Sequence, residues 1–273
     1  MTELLAPKFL TRLPDDLVGV FVGATSGIGE YALKAFARQL KTPRAYFIGR
    51  SRRPQTYTFI RSDTSLLKNV DNVCQQILAK EETINLLFQT QGTMLTDYTA
   101  EGLPYIYVLP VTSRILFALN LLPAIETATG LKCVAEFAIE NSMKARGPHI
   151  SSMITMTNDV MARQAPDVSF VHNYPGAVKT PFGKDAKGMI AVVRSIFNFI
   201  GYFDIKYLPL DECGALQLYC ATSSRFPPAA GDAAGVPVPD DITVARGTDV
   251  EVGSVLPYTT LEGNRLCQTL HQG

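Results

Sequence analysis

A glycine-rich segment at 23–29 (GATSGIG) has the residue types and spacing that could hold a phosphate group. Glycines permit a tight turn and let the backbone approach a pyrophosphate closely. The segment follows an apolar run at 17–22 and precedes a helical pattern, so N–H groups of a helix N-terminus would face the phosphates. We interpret it as a dinucleotide-binding turn; the alternative is a glycine-rich turn without a ligand. The predicted contacts are Gly23, Thr25, Ser26, Gly27, Ile28 and Gly29.

A basic stretch follows the second predicted strand and bears on the choice of cofactor. Residues 49–53 read GRSRR, with three arginines and no acidic residue. An acidic side chain there would bind the ribose 2′-hydroxyl of NAD, whereas an arginine accommodates the 2′-phosphate of NADP. The stretch therefore predicts NADP, with Arg50 as its contact, and disfavours NAD. A solvated basic loop is the alternative.

Metal and hydrolase chemistry have no matching pattern in this sequence. The three histidines, His149, His172 and His271, are scattered without ligand spacing, so no catalytic metal is predicted. No Gly-x-Ser-x-Gly occurs, which argues against a nucleophile elbow. The five cysteines form no CxxC pair, which argues against a zinc site or a disulfide framework and favours a reducing compartment.

The composition predicts a soluble, folded, cytoplasmic protein. Among 273 residues, 47% are hydrophobic and 18% are charged, which excludes a disordered chain. Lysine plus arginine and aspartate plus glutamate both number 25, and this balance argues against nucleic acid as a partner. We find no secretory signal, and the apolar stretch at 189–203, interrupted by Arg194 and Asn198, falls short of a membrane span. We therefore expect no membrane association.

Alternating strand and helix patterns must position these residues. Strands are predicted at 17–22, 45–48, 57–60, 84–88, 131–137 and 168–171. Helices are predicted at 30–40, 69–79, 115–122, 150–163 and 212–222, the third one ended by Pro123. Such alternation indicates an α/β fold with a Rossmann-like, doubly wound, mostly parallel sheet. We expect a single NAD(P)-binding domain over 1–273, in which 227–273 is a weakly patterned C-terminal loop and tail.

The connection between the second and third predicted strands is unusually short. Only residues 49–56 lie between them. A parallel crossover needs about a dozen residues or more and usually includes a helix. Either the helix between these strands is missing, or one of the two predicted strands is wrong.

Two motifs together resemble the short-chain dehydrogenase/reductase family. The segment at 23–29 is similar to its Gly-x-x-x-Gly-x-Gly turn. The segment PGAVKT at 175–180 is similar to its Pro-Gly-x-Val-x-Thr, which lies beside the nicotinamide. The resemblance covers most of the chain and, in detail, looks like members found in fungal natural-product gene clusters. It implies an oxidoreductase.

The same resemblance implies further cofactor contacts. Asp63, after the third strand, matches the acid that holds the adenine amino group. The segment QTQG at 89–92 stands in the place of Asn-Asn-Ala-Gly, and only Gly92 is kept. The implied contacts outside the glycine-rich turn are Arg50, Asp63, Gly92, Pro175, Gly176, Val178 and Thr180.

The catalytic residues of the family are not kept at the matching positions. The family uses Asn, Ser, Tyr and Lys, with Tyr and Lys four residues apart on one helix face. The resemblance aligns His149 with the Tyr, Met153 with the Lys and Pro110 with the Asn. The fifth predicted strand ends at 137–138 (FA) instead of a Ser. A thioether carries no charge and donates no hydrogen bond, so the Ser-Tyr-Lys set is degraded.

Four residues are candidates for catalysis. His149 could donate a proton, because the unperturbed pKa of histidine is about 6.5; the alternative is a structural residue in the loop before the helix. Ser151 or Ser152 could hold a substrate oxygen, and Tyr174 could line the pocket and donate a proton. His172 is predicted to be a strand-end residue satisfied by the backbone.

Further segments of the sequence bear on the class of substrate and on the oligomeric state. The stretch at 189–203 lies where the resemblance implies a mobile lid, and its apolar side chains predict a small apolar substrate of the polyketide or terpenoid kind. Helix packing or an oligomer face is the alternative. The resemblance also implies a homodimer or homotetramer that pairs through the helices at 115–122 and 150–163.

Three functions stay open at this point. The first is an NADP-dependent oxidoreductase acting on a carbonyl or an alcohol. The second is a non-redox enzyme with the same pocket, such as a cyclase, isomerase or dehydratase. The third is a non-catalytic NADP-binding protein. The cofactor motifs favour the first, and the degraded catalytic set favours the other two.

Overall fold

A parallel sheet organises the chain. The computed structural model describes residues 13–42, 44–50, 57–137, 146–175, 178–181, 207–231, 235–238 and 243–247, with the backbone alone at 146–147. Within this part six strands form the sheet: β1 (Val18–Val22), β2 (Arg44–Gly49), β3 (Thr58–Arg61), β4 (Leu86–Gln89), β5 (Cys133–Phe137) and β6 (Ser169–Asn173). Their order is β3-β2-β1-β4-β5-β6, so the winding direction reverses between β1 and β4. Ligands of such sheets bind at this reversal, outside the carboxyl ends of the strands.

Helices cover both faces of the sheet. In the described residues they are α1 (Gly27–Gln39), α2 (Leu67–Leu78), α3 (Tyr105–Glu126), α4 (Arg146–Gln164) and α5 (Leu210–Thr222). On one face, α1 and α5 contribute Phe36 and Leu218 to the core. On the other, α2, α3 and α4 contribute Val70, Phe117 and Met161. The predicted α/β, Rossmann-like, doubly wound class is therefore confirmed.

Strand β1 lies at the centre of the core and is buried along its whole length. Val20 and its alternate neighbours face the side of α2 and α3. Phe21 faces the other side, where its ring centroid lies 5.2 Å from that of Phe36 and 5.3 Å from that of Phe88. A strand covered on both faces must be apolar throughout, and this is why its sequence shows no polar alternation.

All six predicted strands are present, with ends displaced by at most two residues. The prediction for the third helix is wrong, because Pro123 lies inside α3 and the helix continues to Glu126. A proline removes one helical hydrogen bond. Ala124 and Ile125 are buried beyond it, so their packing outweighs the lost bond. Helix α3 also begins ten residues earlier than predicted and contains a π-helical segment, Val108–Thr112.

Strands β2 and β3 are both real, so the alternative that one of them is wrong is excluded. They pair in parallel, with Tyr46 opposite Thr58 and Gly49 opposite Arg61. The chain must return about 10 Å along the strands and about 5 Å across the sheet. The eight residues 50–57 can extend over about 26 Å, so no helix is needed for this return. Residues 51–56 lie outside the described part of the chain.

Helix α3 is long and apolar enough to cross a membrane by length and composition alone. It has 22 residues and a mean hydropathy of 1.7, and in the described part of the chain it is the helix that meets both criteria. Of its most apolar stretch, 61% is buried inside the fold. It is therefore placed as a core helix of the α/β fold. The stretch at 189–203, predicted as a lid, lies outside the described residues.

Candidate functional site

The glycine-rich turn lies at the carboxyl end of β1 and leads into α1. Gly23 has a φ of +85°, a conformation that L side chains rarely adopt. A Cβ atom on Gly23 would lie 2.7 Å from the Gln91 backbone nitrogen and 2.8 Å from Thr90 Oγ1. Ser26 precedes the first residue of α1, Gly27, so Ser26 and Thr25 flank the helix N-terminus. The helix N–H groups left without intrahelical partners at this end point toward the predicted phosphate position.

The loop after β4 packs directly on this turn. The Thr90 backbone N–H donates to the Val22 carbonyl at 2.9 Å, and Thr90 Oγ1 lies 3.2 Å from the same oxygen. A Cβ atom on Gly29 would lie 2.5 Å from Thr90 Oγ1. Gly92, the residue kept from the family motif, follows this loop. The turn and the loop thus form one wall at the reversal between β1 and β4.

Arg50 and Asp63 lie at the carboxyl ends of β2 and β3, as the motifs predicted. They line one groove of about 920 Å³ that runs between β3 and α2 and also contains Arg61 and Lys80. A carboxylate oxygen of Asp63 accepts hydrogen bonds from the Ser65 backbone N–H at 3.0 Å and from Ser65 Oγ at 2.7 Å. Asp63 therefore shapes the turn before α2 as well as facing the groove. Arg52 and Arg53 lie outside the described residues.

The segment after β6 reaches the same edge. A Cβ atom on Gly27 would lie 3.4 Å from the Thr180 Cβ, so Thr180 sits over the start of α1. Pro175 is buried at the end of β6, and Val178 pairs with Leu208 ahead of α5. Gly176 lies outside the described residues. The structure thus brings both motifs, which are about 150 residues apart in the chain, to one edge of the sheet.

Two curated relatives match this chain over most of its length. An oxidoreductase of Emericella nidulans is 32% identical over 280 residues, covering 90% of this chain and 83% of the relative. The oxidoreductase andH of Emericella variicolor is 30% identical over 284 residues, covering 91% and 83%. The chain belongs to the short-chain dehydrogenase/reductase family. No family model matches it.

Two solved structures have the same fold as this chain. A short-chain dehydrogenase/reductase from Serratia marcescens has a TM-score of 0.57 at 15% identity, covering 82% of this chain and 96% of that chain. A putative NAD(P)-dependent gluconate 5-dehydrogenase from Beutenbergia cavernae, with bound NADP, has a TM-score of 0.61 at 14% identity, covering 82% and 94%.

The four predicted catalytic residues are not all brought together in this short-chain dehydrogenase/reductase. Helix α4 starts at Arg146, so His149 lies in its first turn and not in a loop before it, as one interpretation had it. His149 and Ser152 are exposed, whereas Ser151 is buried. Positions 149 and 152 share one helix face, and position 151 points to another. Tyr174 is half-buried immediately after β6, at the carboxyl edge of the sheet.

A buried polar network lies beneath this edge, and sequence reasoning did not find it. Glu136 on β5 accepts a hydrogen bond from Gln89 Nε2 of β4 at 2.8 Å. Arg114 of α3 is fully buried; its guanidinium donates to the Gln91 carbonyl at 2.8 and 3.2 Å and to the Phe137 carbonyl at 2.8 Å. A charged residue inside an apolar strand pattern, as Glu136 is, was the available signal.

Burial dominates the protonation of this network. Burial raises the pKa of Glu136 to about 7, although the Arg114 guanidinium and the Asn158 amide oppose the rise. Burial lowers the pKa of Arg114 to about 10, with Glu136 opposing, so the guanidinium stays charged at neutral pH. Burial, and then the charge of Arg114, lower the pKa of His172 to about 3, so its imidazole is neutral.

His172 was predicted to be satisfied by the backbone, but its described contact is with a side chain. Its ring is fully buried, and its Nδ1 lies 2.8 Å from Thr155 Oγ1, so a side chain of α4 and not the backbone contacts this nitrogen. Thr155 Oγ1 also lies 3.0 Å from the Ser151 carbonyl. Thr155 thus joins the buried His172 of β6 to the first half of α4, where the family resemblance places two of the candidate catalytic residues, His149 and Ser151.

The raised pKa of Glu136 predicts a pH dependence of stability. An acid that binds its proton more tightly when folded stabilises the fold when protonated. Its stabilisation is full below the ordinary pKa of 4.5 and is lost as the pH rises through the folded pKa of about 7. We expect urea unfolding to show that the free energy of unfolding of the wild type falls relative to that of Glu136→Gln as the pH rises through this range. Both proteins contain His172, so its titration contributes equally to the two and drops out of the difference. A constant difference between the two proteins would contradict the assignment.

Proposed function

We propose that this protein is an NADP-dependent oxidoreductase acting on a carbonyl or alcohol of an apolar secondary metabolite. The observation that carries the proposal is the convergence of the glycine turn, the end of β2 at Arg50 and Thr180 at one edge of the sheet. The missing Cβ at Gly23 lets Thr90 and the Gln91 backbone pack directly against the glycine turn, which supports a tight turn into the N-terminus of α1. Arg50 and Arg61 add positive charge where a 2′-phosphate would lie. The NADP bound to the Beutenbergia cavernae structure is in line with this choice.

The residues at this edge could perform part of the family's chemistry. When bound, NADPH supplies the hydride that reduces a carbonyl carbon. The protein must then deliver a proton to the carbonyl oxygen. Tyr174, half-buried at the end of β6, and His149, exposed at the start of α4, are the proposed donors, and Ser151 or Ser152 is the proposed holder of the oxygen. The exposed thioether of Met153 supplies no charge to lower the pKa of a donor, so we expect slow turnover.

The cofactor choice makes a direct prediction for Arg50. Calorimetry should show micromolar binding of NADPH and weaker binding of NADH. Arg50→Asp should weaken NADPH binding about tenfold to a hundredfold, because it replaces a contact to the 2′-phosphate by a like charge. It should strengthen NADH binding, because a carboxylate there can accept a hydrogen bond from the ribose 2′-hydroxyl. Arg38→Asp, an exposed arginine in the last turn of α1, is the matched control and should change neither affinity. No heat with either nucleotide from folded protein would overturn the oxidoreductase proposal.

A non-redox enzyme on the same fold is the second candidate. The observation that favours it is Met153 in place of the family's Lys, because the proton donor loses its cationic partner. Such an enzyme would convert its substrate with no change in nicotinamide absorbance, whereas the oxidoreductase would oxidise NADPH in step with the substrate. A protein that binds NADPH and converts nothing would be the non-catalytic alternative.

We also propose a homodimer or homotetramer paired through α3 and α4. Helix α4 exposes Met156 and Val160, with 69% and 53% of their surface accessible. Their spacing places them on one helix face, and Leu119 of α3 is 49% exposed on the same side of the sheet. An apolar stripe of this kind is typical of a protein–protein contact.

The stripe predicts that one charge will break the oligomer. Met156→Glu should convert the assembly to monomers in sedimentation or size-exclusion measurements, because a carboxylate would be buried without a partner. Leu78→Glu is the matched control, since Leu78 is also an exposed apolar residue, 40% accessible, but lies on α2. A wild-type monomer, or a dimer unaffected by Met156→Glu, would contradict this interface.

We also propose that the protein is cytoplasmic and has no nucleic-acid or membrane partner. The balanced charge supports a protein without a nucleic-acid partner. Cys74, Cys133, Cys213 and Cys220 are buried free thiols, which supports a reducing, cytoplasmic setting. No membrane association is proposed, and fractionation of tagged protein tests this directly.

A further inference from the structure

We propose that Arg114 is a positioning residue that holds the nicotinamide half of the cofactor site in place, while the adenosine half forms without it. This inference rests on the proposed NADP binding. It deepens that proposal by dividing the site into two parts with different structural supports. Arg114 itself is fully buried and would touch neither cofactor nor substrate.

The geometry of the guanidinium carries the proposal. Nε and Nη2 donate to the Gln91 carbonyl at 3.2 and 2.8 Å, and Nη1 donates to the Phe137 carbonyl at 2.8 Å. Gln91 belongs to the loop after β4, and Phe137 is the last residue of β5. One planar group therefore clamps the carboxyl ends of two adjacent strands, which the forked donors of arginine allow and a lysine could not reproduce.

The side chains around the clamp hold it in a single position. Gln89 Nε2 donates to the Arg114 backbone carbonyl at 3.2 Å and to Glu136 at 2.8 Å. Gln91 Nε2 lies 3.2 Å from both Gln89 Oε1 and Ser113 Oγ. The carboxylate of Glu136 offsets the charge of Arg114 in an apolar environment. Each strand end is thus tied to the first turns after the π-helical segment of α3.

The clamp holds the carboxyl ends of β4 and β5, which lie on only one half of the sheet edge where the cofactor is proposed to bind. The adenosine side rests on β2 and β3, where Arg50 and Asp63 lie, and the three hydrogen bonds of the Arg114 guanidinium go to Gln91 and Phe137 instead. The clamped loop instead touches Gly23, since a Cβ there would lie 2.7 Å from the Gln91 nitrogen. From that point the edge of the sheet continues across β4, β5 and β6 to Tyr174, where the nicotinamide half of a bound dinucleotide would lie. Loosening the clamp should therefore free the nicotinamide position and leave the adenosine position intact.

The test compares NADPH with 2′-phospho-ADP-ribose, which lacks the nicotinamide. Wild type should bind both and should enhance and shift the fluorescence of the dihydronicotinamide. Arg114→Met should keep the affinity for 2′-phospho-ADP-ribose within about twofold, lose about tenfold in NADPH affinity and lose the fluorescence change. Arg114→Lys, which keeps the charge but only part of the clamp, should be intermediate in fluorescence.

A second variant keeps the test decisive if Arg114→Met folds poorly. Arg114→Met combined with Glu136→Gln removes both charges, so no unpaired ion is left in the core, and it should show the same selective loss. Wild-type fluorescence with either Met variant, or equal loss of NADPH and 2′-phospho-ADP-ribose from folded protein, would overturn the clamp. A wild type that binds neither ligand would instead overturn the proposed NADP binding itself.

Discussion

Replacing Gly23 with alanine is expected to abolish NADPH binding and to lower the free energy of unfolding by about 2 kcal/mol or more. Gly23 has a φ of +85°, where a side chain is strained whatever the space around it. The new Cβ would also lie 2.7 Å from the backbone nitrogen of Gln91, which is held by the Arg114 clamp and cannot move freely. The turn and the loop after β4 must therefore separate, and the phosphate cradle opens with them.

The matched control for this substitution is Gly130→Ala. Gly130 has a similar φ of +74°, yet a Cβ there would meet nothing within 4 Å. It should cost about 1 kcal/mol of backbone strain and leave NADPH affinity unchanged. Urea unfolding measures the stabilities, and calorimetry measures the affinities. If Gly23→Ala bound NADPH as wild type does, the glycine turn would not be the phosphate site.

Replacing Arg114 with methionine is expected to lower the free energy of unfolding by about 3–5 kcal/mol. The Arg114 guanidinium lowers the pKa of Glu136, so without it this buried side chain is left either as an unpaired carboxylate or as an acid with a pKa raised further. The substitution also leaves the Gln91 and Phe137 carbonyls without their donor. Adding Glu136→Gln should recover about 1–2 kcal/mol, because the unpaired charge is then gone while the unpaired carbonyls remain.

The control for this second prediction is a surface arginine in an ion pair. Arg163 is paired with Asp159 one helical turn away, and 75% of its side chain is accessible. Arg163→Met should change the free energy of unfolding by no more than about 1 kcal/mol. Equal stabilities for the single Arg114→Met variant and the double variant would show that Glu136 is not electrostatically coupled to Arg114.

Several elements of this fold could be predicted from short-range patterns alone. The run at 17–22 is apolar because β1 is covered on both faces, and the glycine spacing after it has few structural uses other than a turn into a helix. Arg50 and Asp63 follow strands, and the ends of parallel strands necessarily meet at one edge. These features depend on neighbours within a few residues, so they can be read without the tertiary structure.

Other elements depended on packing that no local pattern contains. Pro123 looked like a helix end, but burial of Ala124 and Ile125 carries α3 past it. His149 looked like a loop residue as readily as a helical one, and α4 begins early enough to include it. For α3, the packing that carries the helix past Pro123 comes from residues far away in the chain.

The candidate site also contains some features that the local sequence reveals and others that only the tertiary structure reveals. The phosphate turn and the basic strand end were visible in the sequence, because their residue types must follow one another directly. The Arg114–Glu136 network was not, since its members come from α3, β4 and β5 and are separated by 22 to 47 positions. A hydrogen bond between distant residues leaves no periodic signal in one chain. Only the folding of three elements onto each other made Arg114 a clamp and Glu136 its counter-ion.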